Sequence, residues 1–208
     1  MTAGTASATS TTIDRSDFRH ILVSGTKAGA AVALAVIVYL AVSRLVPPGI
    51  VRALLQTIVV LAGAVAAAFL PAHLAVARTI QGVAGSAAIG LWGTIVFMAI
   101  DIILLRPFRA FPWTWDAIGG GSTWWYLPIW WMLGTFVAWM GGLLTASRAT
   151  RGGDTSIRAL ALPILIGAAV IALSLALARV GIYLPVAAGA GFTLTLTVFA
   201  VVAIARKA

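Results

Sequence analysis

Six long apolar segments run along the chain, and short connections that carry arginine or proline separate most of them. Each segment has the roughly 20 residues that a helix needs to cross about 30 Å of hydrocarbon at about 1.5 Å per residue. The segments are continuously apolar, whereas the strands of a membrane barrel alternate apolar and polar positions. The pattern predicts an all-α bundle of six transmembrane helices near Ala28–Val46, Ala53–Leu70, Val83–Leu105, Tyr126–Ala146, Ala159–Ala178 and Pro185–Ala205.

Composition supports a membrane location for these helices. Apolar residues make up 62% of the chain and charged residues 9%, a balance that a water-soluble domain of this size does not have. The start of the chain differs, because residues 1–12 are rich in Ala, Ser and Thr and carry no charged side chain. We expect a disordered tail over residues 1–20 and one transmembrane domain over residues 21–208. No cleaved signal peptide is expected, since the first apolar core begins only near Ala28.

Lysine and arginine near the helix ends predict the orientation of the bundle. The side with the N-terminus holds nine, which are Arg15, Arg19, Lys27, Arg78, Arg148, Arg151, Arg158, Arg206 and Lys207. The opposite side holds five, which are Arg44, Arg52, Arg106, Arg109 and Arg179. We therefore expect both termini in the cytoplasm, with the protein integral to a bacterial inner membrane.

The net charge of +9 does not indicate nucleic-acid binding. The basic residues are scattered singly at the predicted membrane boundaries, whereas a nucleic-acid site collects them on one soluble face. Each Lys or Arg near an anionic leaflet gains roughly 1 kcal/mol. Lipids are therefore expected partners, and nucleic acid is not.

Few residues are suited to catalysis or metal binding. The chain has no cysteine, which excludes disulfides and thiolate ligands. It has no glutamate, and its five acids are all aspartates. The two histidines, His20 and His73, are not expected to meet as a pair of haem ligands, although His73 alone remains a possible axial ligand. We predict no catalytic residues, no metal site and no cofactor bound by the chain itself.

A tryptophan-rich connection between the third and fourth segments is the most distinctive stretch of the chain. Together with the start of the fourth segment, the stretch from Arg106 to Trp131 holds six of the eight tryptophans, three prolines and three consecutive glycines from Gly119 to Gly121. Tryptophan is typical of membrane interfaces, but this density favours a folded cap that binds a partner or ligand. The candidate binding residues are Trp113, Trp115, Asp116, Trp124, Trp125, Tyr126, Trp130 and Trp131.

Asp101 is the one acid within an apolar segment. An acid at membrane depth is costly and marks a candidate site. It lies close to the end of the third segment, where Arg106 and Arg109 are possible partners. A structural ion pair or a hydrogen bond to a neighbouring helix is favoured over ion transport. Helical spacing places Asp101 on the same stripe as Thr94 and Phe97, which predicts that it faces other helices.

Small residues recur at four-residue spacing in the third and fourth segments. Such stripes let two helix backbones approach closely, and in lipid this close packing drives helix association. We expect tight packing there, either within the chain or against another subunit, through Gly82, Ser86, Gly90 and Thr94 in one segment and Gly134, Ala138 and Gly142 in the other.

These features predict a noncatalytic membrane subunit of a larger complex, which binds other membrane subunits through the Trp-rich loop and the small-residue faces. One alternative is a small-solute transporter or its substrate-binding subunit. In size, and in the four-residue spacing of Ala31 and Ala35, the chain resembles the substrate-binding subunits of energy-coupling vitamin transporters, which use such spacing for docking. A second alternative is a quinone- or pigment-binding subunit of an electron-transfer complex.

Overall fold

A computed structural model describes residues 17–105 and 126–206, and within these residues the chain is all-helical. These described residues form six α-helices, each long and apolar enough to span a membrane. The all-α prediction and the six-helix prediction are confirmed, and the chain is an integral membrane protein. The helices are α1 (Phe18–Leu45), α2 (Ile50–Leu74), α3 (Ile80–Ile100), α4 (Tyr126–Thr150), α5 (Ile157–Leu177) and α6 (Leu184–Ala205), and a π-helix (Asp101–Leu105) continues α3.

The first helix begins ten residues before the predicted start at Ala28, so residues 18–20 of the expected tail are helical. Arg19, Lys27 and several small polar residues lower the hydropathy of this stretch, which hides it from a search for apolar runs. The stretch is nevertheless held to the bundle. His20 Nε2 donates to the Leu74 carbonyl oxygen at the end of α2 (3.1 Å), and Ser24 Oγ lies 3.3 Å from the same nitrogen. Residues 1–16 lie outside the described part of the chain.

Helix α2 continues through Pro71, whereas the apolar pattern predicts its end at Leu70. Proline lacks an N–H and usually ends a helix in water. In membrane helices it is tolerated, because neighbouring helices satisfy the backbone groups that it frees. Pro71 is buried against such neighbours, and α5 likewise contains Pro163.

Three helices end in the same hydrogen-bonded turn, and each turn places one residue at positive φ. At the end of α2 the N–H of Ala77 donates to the Ala72 carbonyl and the N–H of Val76 to the His73 carbonyl. This pairing is the Schellman motif, whose left-handed position favours glycine. Gly152 occupies that position after α4, but Val76 (φ 49°) and Arg179 (φ 52°) occupy it after α2 and α5.

Val76→Gly is expected to stabilise the protein by about 1 kcal/mol. A left-handed conformation costs an L-residue roughly 1–2 kcal/mol, and glycine avoids this cost but loses about 0.5–1 kcal/mol of chain entropy on folding. The reverse change Gly152→Val is the matched control, since a Cβ there would have nothing within 4 Å and only the backbone term changes. Unfolding in mixed micelles containing SDS measures both variants. If Val76→Gly and wild type were equally stable, the left-handed conformation of Val76 would not be a source of strain.

Each helix packs against at least one other helix through small or apolar residues. Helix α3 lies between α1 and α4, and α2 contacts α1, α4 and α6. Phe69, Ile164, Phe192 and Leu196 are the largest side chains of a fully buried core formed by α2, α4, α5 and α6. Large apolar side chains on the outer helix faces are exposed, as lipid contact requires.

The bundle has two ends, the terminal side and the loop side. The terminal side carries the start of α1, the end of α6 and the connections α2–α3 and α4–α5. The loop side carries the connections α1–α2 and α5–α6 and the ends that residues 106–125 join. These names follow from the order of the six helices alone.

Candidate functional site

The small-residue stripes of α3 and α4 lie directly against each other. Ser86 Oγ donates to the Ala138 carbonyl oxygen (2.8 Å), which binds the two helices by a buried hydrogen bond. A Cβ on Gly142 would lie 3.1 Å from Ser86 Oγ, and a Cβ on Gly90 would overlap the methyl group of Ala138. The backbones are therefore as close as glycine permits.

This line of close contacts is the α3–α4 seam. Gly134 and Thr94 extend it toward the loop side, since a Cβ on Gly134 would overlap Thr94 Oγ1. Gly82 does not take part. A Cβ there would instead come within 2.8 Å of the Val76 carbonyl oxygen in the α2–α3 turn. Because the two stripes cover each other within the chain, they are not free to bind a partner.

A second glycine seam, between α1 and α3, was missed by the sequence analysis. A Cβ on Gly93 would lie 3.1 Å from the Gly25 carbonyl oxygen and 3.3 Å from the Gly29 nitrogen. Trp92 closes the seam by donating from Nε1 to Thr26 Oγ1 (3.2 Å). The four-residue spacing of Gly25 and Gly29 was the available signal, but the hydropathy reading had placed these residues near or before the start of the helix.

Ala35, one of the two alanines behind the resemblance to vitamin-transporter subunits, packs inside the bundle. A Cβ on Gly63 of α2 would lie 3.3 Å from the Ala35 methyl group. This position thus contributes to the contact between α1 and α2.

Asp101 is buried, with 7% of its surface exposed, at the point where α3 changes into a π-helix. One turn earlier on the same stripe, the Phe97 ring meets Trp130 of α4 edge to face, with ring centroids 6.4 Å apart. Single π-turns in α-helices occur often at functional sites. The π-helix was not predicted, because hydropathy does not distinguish five apolar residues in a π-turn from five in an α-turn.

Most of the predicted Trp-rich binding residues lie outside the described part of the chain. These are Trp113, Trp115, Asp116, Trp124 and Trp125, together with Arg106, Arg109 and the side chain of Tyr126. Trp130 and Trp131 lie within the described part of α4. Trp131 is 38% exposed, whereas Trp130 contributes to the α3–α4 seam through Phe97.

A polar cluster joins α1, α2 and the start of α6 near the loop side. Gln56, only 2% exposed, donates from Nε2 to Ser43 Oγ (2.6 Å) and accepts a hydrogen bond from the Tyr183 hydroxyl. Ser43 Oγ in turn donates to the Tyr39 carbonyl oxygen (2.8 Å). Both ends of the Gln56 amide are thus engaged within the chain, and the cluster fastens three helices.

A small cleft opens on the terminal side, between the α2–α3 turn and the start of α5. Its volume is about 90 Å³, and its polar lining consists of His73, Arg78, Thr145 and Thr155. Beside it, the backbone N–H and the hydroxyl of Ser156 both donate to Asp154 and hold the pKa of that carboxyl below its usual value. His73 and Arg78 are exposed, so the cleft is accessible from outside.

The histidines and acids do not form a metal centre within the described residues, where no group of three potential ligands of that kind is found. His20 is engaged with Leu74, and His73 lines the terminal-side cleft.

Comparison with protein-family models, curated proteins and solved structures gives no match for this chain.

Proposed function

We propose that the protein is a noncatalytic subunit of a larger membrane protein complex and binds its partners through the Trp-rich loop on the loop side. The observation that carries this proposal is the close contact between the helix backbones at several glycines. Gly29 meets Gly93 between α1 and α3, Gly90 meets Ala138 between α3 and α4, and Gly141 meets the Ala68 carbonyl between α4 and α2.

Such contacts favour a static bundle. At these glycines the neighbouring helix is so close that there is no room for even one methyl group. The helices therefore cannot slide past one another without losing their packing. At these seams no passage for a solute remains between the touching backbones. Alternating access needs one part of a bundle to rock against another, so the seams favour a scaffold over a moving transporter.

The polar groups inside the bundle also support a structural role. Gln56 and Ser86 use their hydrogen bonds to join helices, and Thr57, Thr135, Thr145 and Thr197 donate to carbonyl oxygens of their own helices. The hydroxyl hydrogens of Ser86 and these threonines are therefore already donated within the bundle. The small-residue faces are covered as well, so the proposed partner surface is the Trp-rich loop with the adjoining start of α4.

Aromatic side chains suit this task. Tryptophan and tyrosine are enriched among residues that dominate binding energy at protein interfaces, and their polar tips keep hydrogen bonds at the membrane boundary.

We further propose that both termini lie in the cytoplasm of a bacterial cell. Among described residues the terminal side carries seven Lys or Arg and the loop side three, and the positive-inside rule assigns the richer side to the cytoplasm. The Trp-rich loop then faces away from the cytoplasm.

Replacing Trp124 and Trp125 together by alanine is expected to release the partner subunits while the bundle stays folded. The measurement is purification from the native membrane in mild detergent, with every copurifying chain quantified by mass spectrometry. We expect at least about a tenfold loss of the stoichiometric partners, since two interface tryptophans each contribute roughly 2 kcal/mol or more where they dominate binding.

Trp139→Ala is the matched control. Trp139 lies in the middle of α4 and is 46% exposed, so it offers the same aromatic surface away from the loop. Retention of all partners in Trp139→Ala and their loss in the loop variant support the proposal. Unchanged copurification in the loop variant, or a wild-type protein that purifies without stoichiometric partners, would overturn it.

A further inference from the structure

We propose that the terminal-side cleft binds the phosphate group of an anionic phospholipid. This proposal concerns the side of the bundle opposite the Trp-rich loop and does not depend on the partner interface.

The size of the cleft limits its ligand to a small group. Its volume is about 90 Å³. Pockets for complete organic ligands begin at about 300 Å³. The cleft therefore accommodates one compact headgroup, with the remainder of the molecule outside.

The lining favours an anion. Arg78 supplies a permanent positive charge with several N–H donors, and the side chain of Thr155 adds a hydroxyl. The first turn of α5 also borders the cleft through Ile157. The first turn of a helix carries partial positive charge and N–H groups without partners in the helix itself, although Ser156 Oγ accepts from one of these groups, the Ala159 N–H. One acid lies close by, Asp154, but its carboxylate is turned to Ser156 and is within electrostatic range of Arg148.

One residue in the wall of the cleft, Val76, has a strained backbone conformation. Val76 lines the cleft and has a φ of 49°, which is a genuine outlier for a β-branched residue. Such residues cluster at ligand clamps and similar sites. Here the strained turn holds His73 on one side and Arg78 on the other around the opening.

The location of the cleft favours a lipid over a soluble phosphate. Arg78 immediately precedes Thr79, the N-cap of α3. The first residue of α3, Ile80, is 89% exposed. Leu162 and Ile166 on α5 are exposed as well. An arginine at a helix end, together with exposed apolar side chains on α3 and α5, is the arrangement that a headgroup and its acyl chains require.

The test uses the full-length protein, purified in a nonionic detergent and stripped of lipid. Phosphatidylglycerol, phosphatidylcholine and inorganic phosphate are titrated separately, and bound ligand is counted by native mass spectrometry. We expect one phosphatidylglycerol to bind with higher affinity than the others. Arg78→Gln is expected to raise its Kd about tenfold, the order of effect of one lost charge-assisted contact, and Thr155→Val to raise it roughly threefold.

Arg151→Gln is the matched control, because Arg151 is exposed on the same side but does not line the cleft. Its Kd should stay within about twofold of wild type. Equal weakening by Arg78→Gln and Arg151→Gln would reduce the effect to general surface charge and overturn the proposal. Equal affinity for phosphatidylcholine would overturn it too, as would inorganic phosphate that binds as tightly as the lipid, since that ligand has no acyl chains.

Discussion

Gly90→Ala is expected to destabilise the bundle by about 3 kcal/mol, at the upper end of the range for overpacked cores. The added methyl group would overlap the Ala138 methyl group and lie 3.0 Å from the Gly134 carbonyl oxygen. Neither obstacle is the end of a flexible side chain, so α3 and α4 must move apart. That movement also weakens the Ser86 hydrogen bond to α4. Unfolding in mixed micelles of mild detergent and SDS, followed by circular dichroism, measures the change.

Gly85→Ala provides the control on the same helix. A Cβ there would lie 3.5 Å from the Ala75 methyl group, which is an ordinary van der Waals contact. Alanine also favours helix over glycine by about 1 kcal/mol, so Gly85→Ala should be neutral or slightly stabilising. Two glycine-to-alanine changes five residues apart are thus predicted to differ in stability by about 3 kcal/mol or more. Equal stabilities for the two variants would mean that α3 and α4 are not in backbone contact.

The sequence predicts the α3–α4 seam because two properties coincide there. Both segments are apolar enough to be recognised as spans, and small residues recur at the four-residue interval that places them on one helix face. The same reasoning predicts that Asp101 points toward other helices, and its burial at 7% exposure agrees with that expectation. Periodicity identifies a face, but it does not identify the partner. Whether the seam joined helices of one chain or of two subunits therefore required the structure.

Other features were missed for identifiable physical reasons. Arg19 and Lys27 lower the hydropathy of the first ten residues of α1, so hydropathy alone does not predict the Gly25 and Gly29 contacts with α3. The turn at Val76 was missed because the Schellman position usually holds glycine, and a valine there gives no signal. The terminal-side cleft is lined by both Arg78 and Thr155. These residues are far apart in sequence, so no local sequence pattern predicts that they lie close together.

The Gln56 cluster also depends on distant residues. Tyr183 lies 127 positions after Gln56, and a sequence reading identifies the glutamine only as one polar residue in an apolar helix. The structure makes it the link between α1, α2 and the start of α6. A buried amide in a membrane helix is costly unless both its oxygen and its nitrogen are hydrogen-bonded.

Tyr183→Phe is expected to destabilise the protein by about 2 kcal/mol, because it leaves the buried Gln56 oxygen without the Tyr183 donor. Gln56→Leu should cost less, about 1 kcal/mol, although it removes two hydrogen bonds. Leucine leaves no buried amide, and Tyr183, which is 47% exposed, can reach interfacial water. When Gln56 is replaced by leucine, the Tyr183 hydroxyl no longer donates to a buried oxygen, so removing that hydroxyl has little further effect. The double variant should therefore be about as stable as Gln56→Leu alone, a coupling of roughly 2 kcal/mol, slightly above the largest found for hydrogen bonds between membrane helices.

Thr57→Val tests whether this effect belongs to the contact between helices. Thr57 is adjacent to Gln56 on α2, but its hydroxyl donates to the Ala53 carbonyl oxygen of the same helix (2.7 Å). Its removal should change stability by less than about 0.5 kcal/mol, the usual size of a surface substitution. The same unfolding measurement in mixed micelles compares all four variants. Additive losses in the double variant would show that Gln56 and Tyr183 act independently, and the buried amide would then need another source of hydrogen bonds.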